Sequence, residues 1–412
     1  MDAIVESCAG LDVHQETVVA CVLRASLDAR PRPQSRTFGT TTRELLELAD
    51  WLVEQEITVV AMESTGIFWR PVWNILESHD FNLILANARQ VKNVPGRKTD
   101  QRDAEWLAQL LRCGLVQRSF VPAVEQRDLR DLTRRRRALL QELSAEKNRV
   151  HKVLQDANVK LTSVVSDIFG VSGRALIAAL SRGEEITADS VLALVKSNLR
   201  SKVPALMAAI DGRIRPHHLK MIGFSLEHID FIQRQVSTIE EVIETRIAAP
   251  FRDARELICT IPGIERSAAI EILAEVGTDM NVFQSDAHLA SWAGVAPGNF
   301  ESAGKSKSGR TAKGNRYLKS ALVQCAWSAS RTKDTRLSGR YRRLVRRLGR
   351  DGKKKAVVAT AHTILRIVYF VLSTGRPYLE FGPDYGTASA EVRTRRLVSQ
   401  LERLGYSVTK AA

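Results

Sequence analysis

The chain has 412 residues, with 61 Lys and Arg against 46 Asp and Glu, a net charge of +15. That length predicts two or three domains with real cores, and a composition of 44% hydrophobic and 26% charged residues excludes wholesale disorder and a fibrous repeat. Five cysteines (Cys8, Cys21, Cys113, Cys259, Cys325) are odd in number, form no CxxC pair and lie far apart, which excludes a disulfide framework or zinc ribbon and suits a reducing cytoplasm.

Residues 8–112 alternate strand and helix signals. Strands are expected at 8–14, 17–24 and 34–39, then a helix at 42–56 opened by a Thr cap. A buried strand follows at 58–62, a helix at 67–79, a strand at 82–86 and a helix at 99–113. The order βββαβαβα is that of a ribonuclease H-like mixed sheet with helices on both faces.

From residue 124 to 161 one long helix is expected. Leu129, Leu132, Leu139, Leu143, Val150, Val153 and Ala157 form a 3-4 seam, and about 38 residues at roughly 1.5 Å each span on the order of 57 Å. The seam suits a dimerising coiled coil and an intramolecular partner equally. The run Arg134–Arg137 turns charge to every side, either toward nucleic acid or toward solvent. Residues 162–250 are helical by composition, with a second seam (Leu226, Ile229, Ile232, Val236, Ile239, Ile243, Ile247) able to pack antiparallel on the first. His217 and His218 have no carboxylate or cysteine at ligand spacing and read as surface residues.

Four acids carry the chemistry of the first region. Asp12 lies in the first strand, Glu63 follows the fourth, and Asp100 and Asp103 stand three apart at the start of the last helix. First and fourth strands are neighbours in such a sheet, and the i, i+3 pair shares one helical face. Such oxygen-only ligands favour Mg²⁺ or Mn²⁺, and a two-metal site polarises a phosphodiester.

Residues 258–275 read as helix, IPGI turn, helix, and Gly263 can open backbone N–H groups to a phosphate. The segment 298–310 holds Ser302, Ser306 and Ser308 beside small residues and the cations Lys305, Lys307 and Arg310, with Lys313 and Arg316 following and a helix resuming near Asn315. A serine there suits nucleophilic attack on phosphate, and by local chemistry the three are equivalent. Between Ala303 and Lys355 there are 18 basic residues and two acids, leaving 43 basic and 44 acidic residues in the rest of the chain. A block this dense, threaded with apolar and aromatic residues, predicts folded helices that bind a phosphate backbone. The longest apolar stretch, 356–372, contains His362 and Arg366 and falls short of a membrane span. The first residues, with Asp2 and Glu6, lack the basic-then-apolar pattern of a secretory leader.

These motifs together resemble the DEDD transposases of the one-hundred-ten insertion-sequence family: GLDVH at 10–14, MESTG at 62–66, KTDQRDAEWLA at 98–108, and the series from IPGI to LASWAGVAPG and ESAGKSKSGRTAKGNRYLKSAL at 261–322. The resemblance covers roughly residues 5–160 and 250–375. It implies a Holliday-junction-resolvase-like (RuvC-like) domain at 1–122, a coiled-coil oligomerisation region at 123–250, a C-terminal transposase domain at 251–380 and a tail at 381–412. Matched residue by residue, it implies Asp12, Glu63, Asp100 and Asp103 as catalytic metal ligands and Ser302 as the catalytic serine. Its departure is Glu301, where many members have a small or polar residue.

The resemblance further implies a recombinase acting on donor and target DNA, guided by an RNA from its own element, cutting through a phosphoserine intermediate and working as a dimer or tetramer in a prokaryotic cytoplasm at the nucleoid. Religation from such a link needs no ATP, in keeping with the lack of a GxxxxGK[ST] loop. Two other readings stay open. One is a junction endonuclease using the acids and water; the other is a nucleic-acid-binding scaffold without catalysis.

Overall fold

The computed structural model describes residues 2–63, 66–87, 103–247, 249–298, 300–302, 305–308, 311, 313–349, 352–383, 385, 390–403 and 405–408. The chain forms two compact units, Met1–Pro122 and Ala123–Ala412.

The first unit is a five-stranded mixed sheet. Its strands are β1 (Ser7–Val13), β2 (Thr17–Arg24), β3 (Gln34–Gly39), β4 (Val59–Glu63) and β5 (Asn82–Ala86), in the spatial order β3-β2-β1-β4-β5. β1–β2 and β2–β3 are antiparallel, whereas β1–β4 and β4–β5 are parallel. The first and fourth strands are thus neighbours, as the sequence predicts.

Period-two alternation sends β1 side chains to opposite faces. Ala9, Leu11 and Val13 join the core under α1 (Thr42–Glu54) and α2 (Trp69–Leu76), with Leu45, Leu48, Val72 and Leu76. Cys8 faces the other way, into a core with Cys21, Ala61, Ile84, Leu107 and Leu111 under α3 (Asp103–Arg112). Helix α1 is opened by Thr41 in a capping box with Glu44. Gly10 shares the face of Cys8, and a Cβ there would lie 2.3 Å from the Ala104 carbonyl oxygen and 2.5 Å from Ala108 N. Only glycine lets α3 approach β1 this closely.

The second unit is helical apart from a two-stranded hairpin. Its spine is α4 (Val124–Asp156), which ends before the expected residue 161 because Asn158 takes a left-handed φ of 57°. Next come α5 (Val171–Ser181), α6 (Ala188–Leu194), α7 (Val203–Ile210) and the long α8 (Pro216–Val242). The pairs Asp156–His218, Glu146–His228 and Arg136–Glu240 run in opposite sequence directions, so α4 and α8 form an antiparallel hairpin. Leu139, Ile232 and Val236 form its buried middle. Helices α5 to α7 fill its far end, with Leu176, Ile177, Val191 and Leu206 in one core with Val150 and Leu154 of α4 and with Leu226 and Ile229 of α8.

Of the expected seam, Leu129, Leu139, Val150 and Ala157 are buried inside one chain, and Leu132, Leu143 and Val153 are partly buried. They are not an open coiled-coil stripe for a second copy. Of the two seam readings, the intramolecular one describes these residues.

The rest of the unit comprises α9 (Arg252–Cys259), α10 (Arg266–Val276), α11 (Asp286–Trp292), the hairpin strands β6 (Phe300–Ser302) and β7 (Lys305–Ser308), then α12 (Arg316–Arg331), α13 (Arg336–Leu348), α14 (Lys353–Thr374) and α15 (Ala390–Arg403). Among the described residues α14 alone is long and apolar enough to cross a membrane by length and composition, contrary to the sequence expectation. Yet Ala361, Ile364, Leu365 and Val368 are buried, as befits the central helix of a bundle.

One buried acid joins three parts of this unit. The Glu275 side chain, 3% exposed, accepts a bidentate pair from Arg134 (Nε–Oε1 and Nη2–Oε2, both 2.8 Å) and lies 3.4 Å from Arg130 Nε. Asn315 Nδ2 donates to Glu275 Oε2 at 2.6 Å. Arg130 also donates to the Ala274 and Glu275 carbonyls, and Gln126 to Ala274. Removing one partner from a buried, hydrogen-bonded ion pair leaves an uncompensated charge. Glu275→Ala is therefore expected to cost about 3–5 kcal/mol, read as lost amide-exchange protection across α4 and α10, with much less loss in the double variant Arg134→Leu, Glu275→Leu.

Candidate active site

Asp12 is next to last in β1, on the same side of the sheet as Cys8 and Gly10, the side covered by α3. The β1–β4 register Gly10–Ala61 and Leu11–Met62 continues one step to Asp12 and Glu63, and adjacent strands lie about 4.8 Å apart. Asp103 is the first residue of α3, at the helix end that favours negative charge. The close approach allowed by Gly10 brings that end to the sheet. Three of the four predicted acids thus share one site; Asp100 lies outside the described residues.

The electrostatics agree with this placement. Burial holds the Asp12 carboxyl above the usual carboxylate range, the His14 imidazole opposes that rise, and the charges of Asp103 and Glu63 add to it. His14 Nε2 lies 3.1 Å from Asp12 Oδ2, and the Asp12 side chain is 20% exposed. Sequence reasoning does not single out His14, although period two sets it on the face of Asp12. A partly desolvated, oxygen-only group of like charges fits a hard divalent cation. Asp12, Glu63 and Asp103 are the candidate ligands among the predicted acids that are described.

The serine segment is a β-hairpin, where the sequence suggests a loop. Its backbone register pairs Phe300 with Ser308, Glu301 with Ser306 and Ser302 with Lys305, with an irregularity between Phe300 and Glu301. Ser302 therefore occupies the end pair of the hairpin, opposite Lys305, while Ser306 and Ser308 belong to the other pairs. Lys307 is in β7; Arg310 lies outside the described residues.

The start of the helix that follows is held by several contacts. Asn315 caps α12 by accepting from Tyr317 N and Leu318 N, its own N–H donates to the Trp292 carbonyl at 3.3 Å, and its amide reaches Glu275. Lys319 Nζ donates to Thr311 Oγ1 at 2.6 Å. Lys313 and Arg316 are exposed beside this anchor, with Arg316 also stacked 4.7 Å from the Tyr317 ring.

Other candidates have different roles from those the sequence suggests. Arg134 pairs with Glu275 and lies over the Tyr317 ring, Arg136 pairs with Glu240 and Glu271, and Arg137 donates to the Tyr317 carbonyl and Ser320. This run latches helices together, so three of its four guanidiniums are engaged internally. Gly263 has a left-handed φ of 88°, and a Cβ there would lie 2.5 Å from the Cys325 carbonyl oxygen. Packing of the IPGI turn on α12 by itself requires that glycine.

His217 and His218 do have a carboxylate nearby, Asp156, and the three offer ligand atoms within 4.8 Å of one another. His218 is buried, not a surface residue. Its Nδ1 accepts from Arg215 N at 3.2 Å and its Nε2 meets Asp156 Oδ2 at 2.8 Å. A cation on Nε2 would force the ring proton onto Nδ1, against the Arg215 N–H. These contacts read as a strut between the end of α4 and the start of α8.

Acids gathered at a sheet face in one unit, and a serine hairpin beside exposed cations in the other, are the equipment of a DNA-processing enzyme. A family model described as Transposase matches residues 9–159, and one described as Transposase IS116/IS110/IS902 family matches residues 255–342. Together they span more than half of the chain, which belongs to the IS110 family of transposases and is a DNA transposase or recombinase. Among relatives, y4qE of Sinorhizobium fredii, which bears the name transposase, is 25% identical over 329 residues, covering 70% of this chain and 68% of that protein. The pilin gene-inverting proteins of Moraxella bovis and Moraxella lacunata are each 34% identical over 129 residues, covering 30% of this chain and 38% of theirs.

Family membership implies use of a divalent metal, for which the acids are the candidate site. A cation bound there stabilises the folded chain by mass action, by about 2.7 kcal/mol at a hundred times its dissociation constant. We expect millimolar Mg²⁺ or Mn²⁺ to raise the melting temperature. Asp12→Asn should abolish that rise while melting no lower than the unmodified chain in EDTA, because it removes a desolvated charge. An unchanged metal-dependent rise in the variant would count against Asp12 as a ligand.

Proposed function

We propose that the chain is a site-specific recombinase of an insertion sequence that cuts and rejoins DNA through a phosphoserine, using a RuvC-like, ribonuclease H-like metal site and a guide RNA from its element. The observation that carries this reading is the convergence of Asp12, Glu63 and Asp103 on one face of a sheet ordered β3-β2-β1-β4-β5. In it Asp100 completes the four acids, Mg²⁺ or Mn²⁺ is the cofactor, and the domains run 1–122, 123–250, 251–380 and 381–412. Donor DNA, target DNA, the guide RNA and further copies of the chain are the partners. The Moraxella relatives are named for inverting a gene, which is a rearrangement of DNA.

When bound, a divalent cation at the acids supplies the Lewis acid that draws charge from the scissile phosphate. Ser302 Oγ attacks phosphorus, its proton passing to solvent. The Oγ–P bond forms as the P–O3′ bond breaks, and the departing oxygen takes up a proton as a 3′-hydroxyl. The phosphoserine keeps the phosphodiester energy, so attack by a new 3′-hydroxyl reverses the step with no cofactor consumed. Position in the end pair of the hairpin, opposite Lys305, favours Ser302 over Ser306 and Ser308. The exposed cations Lys313 and Arg316 suit the phosphates on either side. His14 orients the Asp12 carboxylate through its hydrogen bond.

The chain with its element RNA, Mg²⁺ and labelled DNA is expected to give a protein–DNA adduct stable on a denaturing gel. Ser302→Ala should lower adduct yield by at least about a thousandfold, the scale seen for loss of a nucleophile, with DNA binding retained. Adducts that survive Ser302→Ala, or hydrolytic nicks with 5′-phosphate ends and no adduct, would replace the serine mechanism with one that uses water.

A further inference from the structure

Helix α13 carries Arg336, Arg340, Arg343 and Arg347 at spacings of four, three and four, which places all four on one face. Arg366 of α14 stands across from this stripe, close enough to act on Arg340 electrostatically. Three of the five have partners. Arg336 stacks 4.3 Å from the Tyr385 ring, Arg343 donates to the Pro383 and Tyr385 carbonyls, and Arg366 pairs with Asp286.

Arg340 is different. Its Nε is buried and has no hydrogen-bond partner among the described residues. Burial, then the charges of Arg336, Arg343, Arg347 and Arg366, hold its guanidinium below the usual arginine range. His362, one turn before Arg366, is likewise depressed by burial and by the Arg366 and Arg340 charges, with Asp286 opposing. A buried, unbonded Nε on a guanidinium amid four like charges is costly, because its desolvation goes uncompensated. A bound anion removes that cost, and the fork of an arginine suits a phosphate best. Arg347 is exposed at one end of the stripe, with Arg346 next to it and Lys353 following, so the stripe opens to solvent.

We propose that Arg340, with Arg347 beside it, forms an anion site between α13 and α14 that takes a backbone phosphate of a nucleic acid strand. The choice of a phosphodiester rests on the recombinase reading; the need for an anion does not. The site is separate from the serine hairpin in sequence.

The test uses the full chain, with Arg340→Leu, Arg340→Lys and Arg347→Gln. Inorganic phosphate, added at constant ionic strength, should raise the melting temperature of the unmodified chain by about 2–4 °C. It should do so less in Arg340→Lys and not at all in Arg340→Leu. In phosphate-free buffer Arg340→Leu should melt no lower than the unmodified chain. Binding of DNA and RNA oligonucleotides of one sequence is then followed against salt. The slope should fall by about one phosphate contact, roughly 0.7 for a single strand, in Arg340→Leu and in the surface variant Arg347→Gln. A fall with DNA only, or RNA only, identifies the strand held. Equal phosphate shifts in all proteins overturn the site. So does an Arg340→Leu chain that melts well below the unmodified one with salt slopes unchanged, since the arginine would then be structural. A chain that forms the Ser302 adduct but shows none of these effects loses this site and keeps the recombinase reading.

Discussion

The second unit depends on one buried carboxylate. Glu275 sits where the spine α4, the helix α10 and the start of α12 meet, bonded to Arg134 and Asn315 with Arg130 alongside. An apolar residue in its place would hold the helices at the right distance but would leave their register free to slide. Directional pairs remove that freedom, as buried polar groups do in some other helical assemblies. The consequence reaches the serine. Asn315 is at once the cap of α12, a partner of Glu275 and the residue that ends the segment carrying Ser302. A hairpin of three and four residues has few bonds of its own to hold it.

The first unit solves a related problem by steric means. Three acids on separate elements repel one another and would be driven apart by any looseness between α3 and the sheet. Gly10 lets that helix seat at backbone contact, while Cys8 Sγ donates to the Ala108 carbonyl at 3.6 Å in a buried core. The cores under α1 and α3 then hold the ends of β1 and β4 level. Like charges are thereby kept close by packing energy spread over both faces of the sheet, which is what a cation-binding site needs before the cation arrives.

How much of this the sequence discloses follows from the range of each interaction. Period two in residues 8–24 and 59–63, the Thr41 cap and the neighbouring of first and fourth strands are local or topological, so they are legible. The same period makes His14 legible beside Asp12. Arg134 and Glu275 are 141 residues apart, and a charge run reads as a solvated face until its partner is known. A signal exists in α10, where residues 272–276 are all buried and Glu275 is the lone acid among apolar neighbours. His218 and Asp156 are 62 residues apart, beyond any ligand spacing. The hairpin form of 300–308 is hidden because its glycines, serines and lysines favour turns as much as strands.

The net charge of the chain divides unequally between its units. Residues 1–122 hold 13 basic and 16 acidic residues, and residues 123–412 hold 48 and 30. A polyanion is thus drawn to the second unit and repelled by the acids of the first. Part of the attraction is spent internally, since Arg134, Arg136, Arg336 and Arg343 serve contacts within the fold. What remains at the surface includes Lys313, Arg316, Arg342, Arg346 and Arg347. Binding of the strand and reaction of the strand therefore make opposite electrostatic demands. On the recombinase reading, the basic unit would hold nucleic acid without any metal. On the same reading, bringing a phosphate to Asp12, Glu63 and Asp103 requires that their charge first be neutralised, so nucleic-acid affinity should be largely indifferent to divalent cations and cleavage strictly dependent on them.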